Sequence, residues 1–219
     1  MLQAVSSGEP IVFIAALLVA LILLLVCFPI HELAHAVVAY RLGDDTAQKL
    51  GRITLNPFAH LDPIGSIVFL LFGFGWARPV PVSLYRLTGS IKVSHGLVAL
   101  AGPVSNLGLA AALGLIYRVL NATVLPGLPF DIARLIDIAA YLAVILNLYL
   151  ALFNLIPVPP LDGSRILAAV LPDSATPIFD QLERYGVFIL MALFALSPQL
   201  VGPVIAQPAN TIAGFLLGY

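Results

Sequence analysis

The sequence predicts an all-α polytopic membrane protein with about five transmembrane helices and a short membrane-dipping hairpin. Composition predicts it first. Of 219 residues, 61% are hydrophobic and only 10% charged, whereas soluble domains carry roughly a quarter charged residues. The mean hydropathy is +1.06. The second observation is a set of uncharged runs long enough to cross a bilayer. The third is a cluster of ionisable side chains at the end of one such run, where a membrane protein keeps them for chemistry.

The runs follow in order. Residues 11–30 are uncharged, and twenty helical residues cover about 30 Å, the thickness of the hydrocarbon core. Residues 96–117 and 138–161 form two further uncharged runs, and residues 185–219 carry no charge at all. That last stretch reads as two passes broken near Ser197-Pro198, the first beginning near Pro177. The predicted spans are about 10–40, 95–118, 135–158, 177–197 and 200–218. Residues 63–77 are uncharged but too short to span, and Pro63, Gly65, Gly73 and Gly75 interrupt them. Read as too broken for a helix, they predict a re-entrant stretch over 63–82, tolerated only against protein or a wet cavity. With no internal repeat and no soluble stretch for an appended module, residues 1–219 read as one membrane-embedded domain.

Six of the ten basic residues (Arg41, Lys49, Arg52, Arg78, Arg86, Lys92) lie between the first and second spans. The positive-inside rule puts that connection in the cytoplasm. The net charge of −1 and the dispersed basic residues give no electrostatic case for nucleic acid. Cys27 is the only cysteine, so no intramolecular disulfide forms. The first ten residues carry no Lys or Arg, so the charged start of a cleavable signal is missing.

The first run ends in His31-Glu32-Leu33-Ala34-His35. On a helix, residues four apart share one face, roughly 6 Å apart along the axis. Two imidazoles so placed reach one zinc at about 2.0–2.1 Å. Glu32 sits beside the metal, where it can take a proton from water activated there. Against this stands a chance pentapeptide with two satisfied core histidines, a reading that ionisable groups at span depth disfavour. Catalytic zinc needs a third protein ligand and an open position. The candidates are His60, Asp62, His95 and Asp162. Asp162 is favoured by depth: like the histidines, it falls at the cytoplasmic end of an inward-running span. The prolines at 157, 159 and 160 stop the helix there. His60 and Asp62 stay open as alternatives, and His95 reads as interfacial.

With His31-Glu32-x-x-His35, the Gly102-Pro103-x-x-Asn106 segment and Asn154 to Gly163 (NLIPVPPLDG) in place, the chain resembles the site-2 protease family of intramembrane zinc metalloproteases. It matches the compact form without a PDZ or CBS domain, from about residue 20 to 171. The resemblance implies one zinc per chain on His31, His35 and Asp162, with Glu32 as general base. It implies that Asn154 positions the substrate carbonyl or stabilises the oxyanion; an interhelical hydrogen bond is the plainer role. It implies membrane-anchored protein substrates in regulated intramembrane proteolysis, and a prokaryotic inner membrane with the site towards the cytoplasm. It also implies a hairpin within 63–82 whose edge pairs with an unwound substrate strand. The rival function is a transporter or metal or proton relay using the same His, Glu and Asp groups. Gly102, Asn106 and Gly108 read as a close-packing surface, Cys27 as a buried filler, Trp76 and Arg78 as an interfacial anchor, and Lys92 and Arg41 as headgroup contacts.

Overall fold

The computed structural model describes residues 17–72, 77–196 and 202–219. These residues are overwhelmingly helical and hold no strand beyond one isolated antiparallel bridge between Leu61 and Ala77. They divide into two compact units, ending and beginning at Thr88 and Gly89. The expected start of the first span, Trp76 and the break at Ser197-Pro198 lie outside the described residues.

In the first unit, α1 runs Leu17–Arg41 and is long and apolar enough to cross a membrane. Its interior contains Pro29, which lacks an N–H and crowds the carbonyl four residues back. The helix meets this with a wide π turn at Leu23–Cys27, where Phe28 N–H reaches back to Leu23 O. The same device recurs at Gly202–Ala206, immediately before Gln207-Pro208. After α1 the chain turns at Gly43, whose φ of +101° favours glycine, and forms the one-turn helix α2, Thr46–Lys49. Asp44, fully buried, accepts from Thr46 N–H at 3.0 Å, Thr46 Oγ1 at 2.5 Å and Ser83 N–H at 2.6 Å.

The stretch expected to be too broken for a helix is helical: α3 spans Pro63–Phe72. Pro63 and Gly65 do little harm because they fall where helices tolerate them, and Gly73 and Gly75 lie outside the described residues. Pro63 is its first residue, where an N–H would have no helical partner. The Asp62 carboxylate accepts from Gly65 N–H at 2.7 Å, as an N-cap does. Phe69 on α3 meets Phe28 on α1 edge to face, with ring centroids 5.9 Å apart. The chain does fold back, since Arg78 N–H bonds His60 O at 2.8 Å beside the Leu61–Ala77 bridge. The outgoing limb of that reversal is a helix and not a strand.

In the second unit, α4 (Ile91–Thr123) and α5 (Phe130–Asn154) are both long and apolar enough to span. α6 is Asp162–Val170, α7 Thr176–Leu196 and α8 Gln207–Leu217. α7 carries Asp180, Glu183 and Arg184, so α1, α4 and α5 are the three described helices that meet the length and hydropathy of a span. α4 buries Ala99, Gly102, Asn106, Ala110, Gly114 and Tyr117, a stripe at helical spacing in which small residues let neighbours approach. Gly108 is not part of it, because a Cβ there would meet open space. At the centre of the stripe Asn106 Nδ2 donates to Asn147 Oδ1 on α5 at 2.8 Å, both residues fully buried. Lys92 is not simply a headgroup contact: its ammonium donates to Leu171 O and so caps the end of α6.

Two expectations follow. Asn147→Leu should cost about 1–2 kcal/mol, because Asn106 loses that acceptor. Asn106→Leu with Asn147→Leu should cost clearly less than the two single losses summed; additive changes in thermal unfolding would argue against the pair. For Asp44, burial alone raises the carboxyl. The Thr46 hydroxyl, the Ser83 and Thr46 N–H groups and the charge of Arg86 together outweigh that, holding it below its ordinary 3.8. A depressed carboxylate contributes stability in full above its unfolded pKa and loses it as pH falls through the folded one. Asp44→Asn should therefore lower stability by about 1–3 kcal/mol at neutral pH, and this gap should narrow as pH drops below about 4. Paired unfolding curves across that range measure it.

Candidate metal centre

The first-unit site grows from α1. Beyond the π turn, Phe28–Arg41 is regular α-helix, so the four-residue spacing sets His31 and His35 on one face. Their rings lie 4.6 Å apart, centroid to centroid, nearly perpendicular at 86°. Both are buried, with 6% and 8% exposure. Two buried imidazoles one turn apart are the donor set a zinc ion takes. Cys27 lies one turn earlier and is fully buried.

Glu32 is one residue on from His31, about 100° round the helix, so its carboxylate leaves on a different side. Its Oε2 accepts from the backbone N–H of Val80 at 3.1 Å. Val80 belongs to the segment Ala77–Ser83, in which Pro79 and Pro81 hold the residues before them extended.

The other candidates of the first unit have local occupations. His60 is fully buried, with Nε2 2.9 Å from Thr54 O. Asp62 caps α3. Both fit structural roles.

In the second unit, α5 ends at Asn154, whose Nδ2 donates to Leu150 O of its own helix at 2.9 Å. The turn that follows holds Pro157, Pro159 and Pro160, with a cis peptide between the last two. It delivers Asp162, buried at 7% exposure, as the first residue of α6. Gly163 has no room for a side chain, since a Cβ there would strike the carbonyls of Leu155 and Ile156. α6 in turn packs on α4 where Gly96 faces Ala169. Half-buried His95 lies one residue before that contact, within electrostatic reach of Arg165 and Asp162.

Several residues around these groups were not singled out by sequence. Val80 has no side-chain signal, because its backbone makes the contact. Asn147 is one more polar residue in an apolar run. Arg52 counts in sequence only towards topology, yet it is buried at 5% exposure and donates to the carbonyls of Arg78 and Pro79. The one available hint was the Pro79-Val80-Pro81-Val82 alternation, which marks an extended segment that cannot supply its own hydrogen bonds.

Comparison with known proteins gives a consistent answer. The family model described as Peptidase family M50 matches residues 131–197, a range that holds both Asn154 and Asp162. The inferred zinc metalloprotease YwhC of Bacillus subtilis is 46% identical over 173 residues, 79% of this chain and 78% of its own. The inferred zinc metalloprotease Rip2 of Mycobacterium tuberculosis is 28% identical over 205 residues, covering 90% of this chain and 74% of its own. The inferred zinc metalloprotease MJ0611 of Methanocaldococcus jannaschii is 32% identical over 145 residues, 64% of each chain. No solved structure matches the chain. Together with the three apolar helices and the paired histidines, the extent of the match to YwhC shows that this chain belongs to peptidase family M50 and is an integral membrane zinc metalloprotease of the site-2 protease type.

Proposed function

We propose that the protein is an endopeptidase that cleaves membrane-anchored proteins in or beside their transmembrane segments, as a step of regulated intramembrane proteolysis. The observation that carries the chemistry is the buried His31–His35 pair with Glu32 between them on one helix. In this reading His31, His35 and Asp162 hold one zinc ion. Asp162 is supported by its burial and by its place at the start of α6, beside the close packing at Gly163. Bound zinc supplies a Lewis acid that polarises the scissile carbonyl and activates water.

The chain's own groups do the rest. Glu32 takes the proton of the attacking water and passes it to the leaving nitrogen. Asn154 has a second amide hydrogen beyond the one returned to Leu150, and in this role donates it to the developing oxyanion. The site faces the cytoplasmic side, because six basic residues lie between the first two spans, and the compact form supports a prokaryotic inner membrane. All 219 residues then act as one membrane-embedded domain, reached by water from that side. A substrate helix must unwind before its amides are available, so small or helix-breaking residues are expected near the cut.

Zinc content and turnover of detergent-purified full-length protein test this together. Wild type should carry about one zinc per chain. Asp162→Ala should lose most of it. Glu32→Gln should keep the zinc and lose about 10²–10⁴-fold in turnover. Zinc retained in full without Asp162 would move the third ligand elsewhere. Undiminished turnover in Glu32→Gln would remove the base.

A further inference from the structure

Arg52 is the one Lys or Arg that is buried among the described residues. A buried guanidinium ordinarily meets a carboxylate. Among the described residues no carboxylate lies within ion-pairing distance of it, although the charge of Glu32 reaches it through space. Its two terminal nitrogens instead grip consecutive carbonyls, Arg78 O and, at 3.3 Å, Pro79 O. The side chain is aimed by its own backbone: Arg52 N–H bonds Ala47 O at 2.9 Å, and the preceding Gly51 takes a φ of +69° to make the turn.

The grip matters because of what lies across one peptide bond. Pro79 C=O and Val80 N–H are two ends of the same rigid, planar unit. Arg52 holds the oxygen end, and Glu32 accepts from the hydrogen end at 3.1 Å. The segment has few other ways to hold that plane. Pro79 and Pro81 have no N–H, and the flanking ties are Arg78 N–H to His60 O and Ser83 N–H to Asp44. A carbonyl already accepting from a cation also makes its N–H a stronger donor.

We infer that Arg52 is a positioning residue for Glu32: through the Pro79–Val80 peptide it fixes the carboxylate in the orientation needed for proton transfer. This rests on the reading of Glu32 as the base. Arg52 touches neither substrate nor metal in this role, so its loss should act on kcat and leave zinc and KM largely alone.

The test compares full-length, zinc-loaded wild type with Arg52→Met, Arg52→Lys and Glu32→Gln, using fluorescein-labelled casein as an unfolded substrate. Hydrogen exchange of the Val80 amide is measured on the same samples. Arg52→Met should raise Val80 exchange about tenfold or more and lower kcat by ten- to a hundredfold, with KM within about twofold and zinc retained. Arg52→Lys, with one ammonium in place of the fork, should fall between. Glu32→Gln, which still offers an oxygen to Val80, should keep the exchange protection while losing turnover.

Turnover persisting in Glu32→Gln would remove the base assignment, and the exchange data would still judge the link to Arg52. Turnover lost in Glu32→Gln, with unchanged kcat or unchanged Val80 exchange in Arg52→Met, overturns the positioning role. If Arg52→Met loses zinc or fold, Arg52→Lys decides. With zinc retained, a lowered kcat supports the role and a wild-type kcat overturns it.

Discussion

Where water is scarce, a backbone N–H or C=O without a partner costs several kcal/mol, and this chain is rich in places where the regular ladder fails. It holds 17 prolines and 17 glycines against 21 acidic and basic residues. Many of those charged groups serve the backbone rather than one another. Arg118 donates to the carbonyls of Phe215 and Leu216 at the end of α8. Lys92 does the same at the end of α6, and Arg52 on the Arg78 and Pro79 carbonyls. Asp44 and Asp62 accept from N–H groups at turns. The pairs of Asp45 with Lys49 and Arg86 lie at the surface, where such pairs contribute little. In a chain with so few charges, this allocation keeps irregular backbone supplied with partners.

The site inherits its geometry from the same constraint. The π turn of α1 absorbs Pro29, and regular helix resumes for His31 and His35. That regularity is what turns a four-residue spacing into a common face. Glu32, a hundred degrees round, cannot share that face and meets the 77–83 segment instead. One helix thus presents two imidazoles in one direction and a carboxylate in another. In the second unit the constraint works through exclusion. The proline turn after Asn154 and the missing side chain at Gly163 let α6 begin hard against the end of α5.

How much of this was legible depended on whether side chains or backbone carried the information. The apolar runs around residues 11–30, 96–117 and 138–161 translate directly into α1, α4 and α5, because span length is set by the bilayer. The histidine pair was readable because helical periodicity fixes it. The stretch from residue 63 was misread because composition counts breakers without locating them. Pro63 and Gly65 fall in the first turn, where α3 tolerates them. Lys92 and Arg52 were misjudged for a related reason: sequence shows a charge, but not that its partner is a carbonyl some 79 or 26 residues away.

Particular backbone atoms of residues 77–83 bear on the expected pairing of residues 63–82 with a substrate strand. In an extended segment, successive N–H groups alternate between edges. The edge carrying the N–H groups of Arg78 and Val80 is engaged by His60 O and Glu32. The opposite edge passes through Pro79 and Pro81 and has no donor at either. Prolines so placed block the ladder an incoming strand would need. At Pro79 and Pro81 a substrate backbone meeting that edge finds only carbonyls, and Arg52 already holds the first of them. To gain a donor between the two prolines, a substrate would have to take Val80 N–H from Glu32. Strand addition at that point would then break the Val80–Glu32 contact, so on the proposed reading of Glu32 as the base, pairing there and proton transfer compete for one N–H.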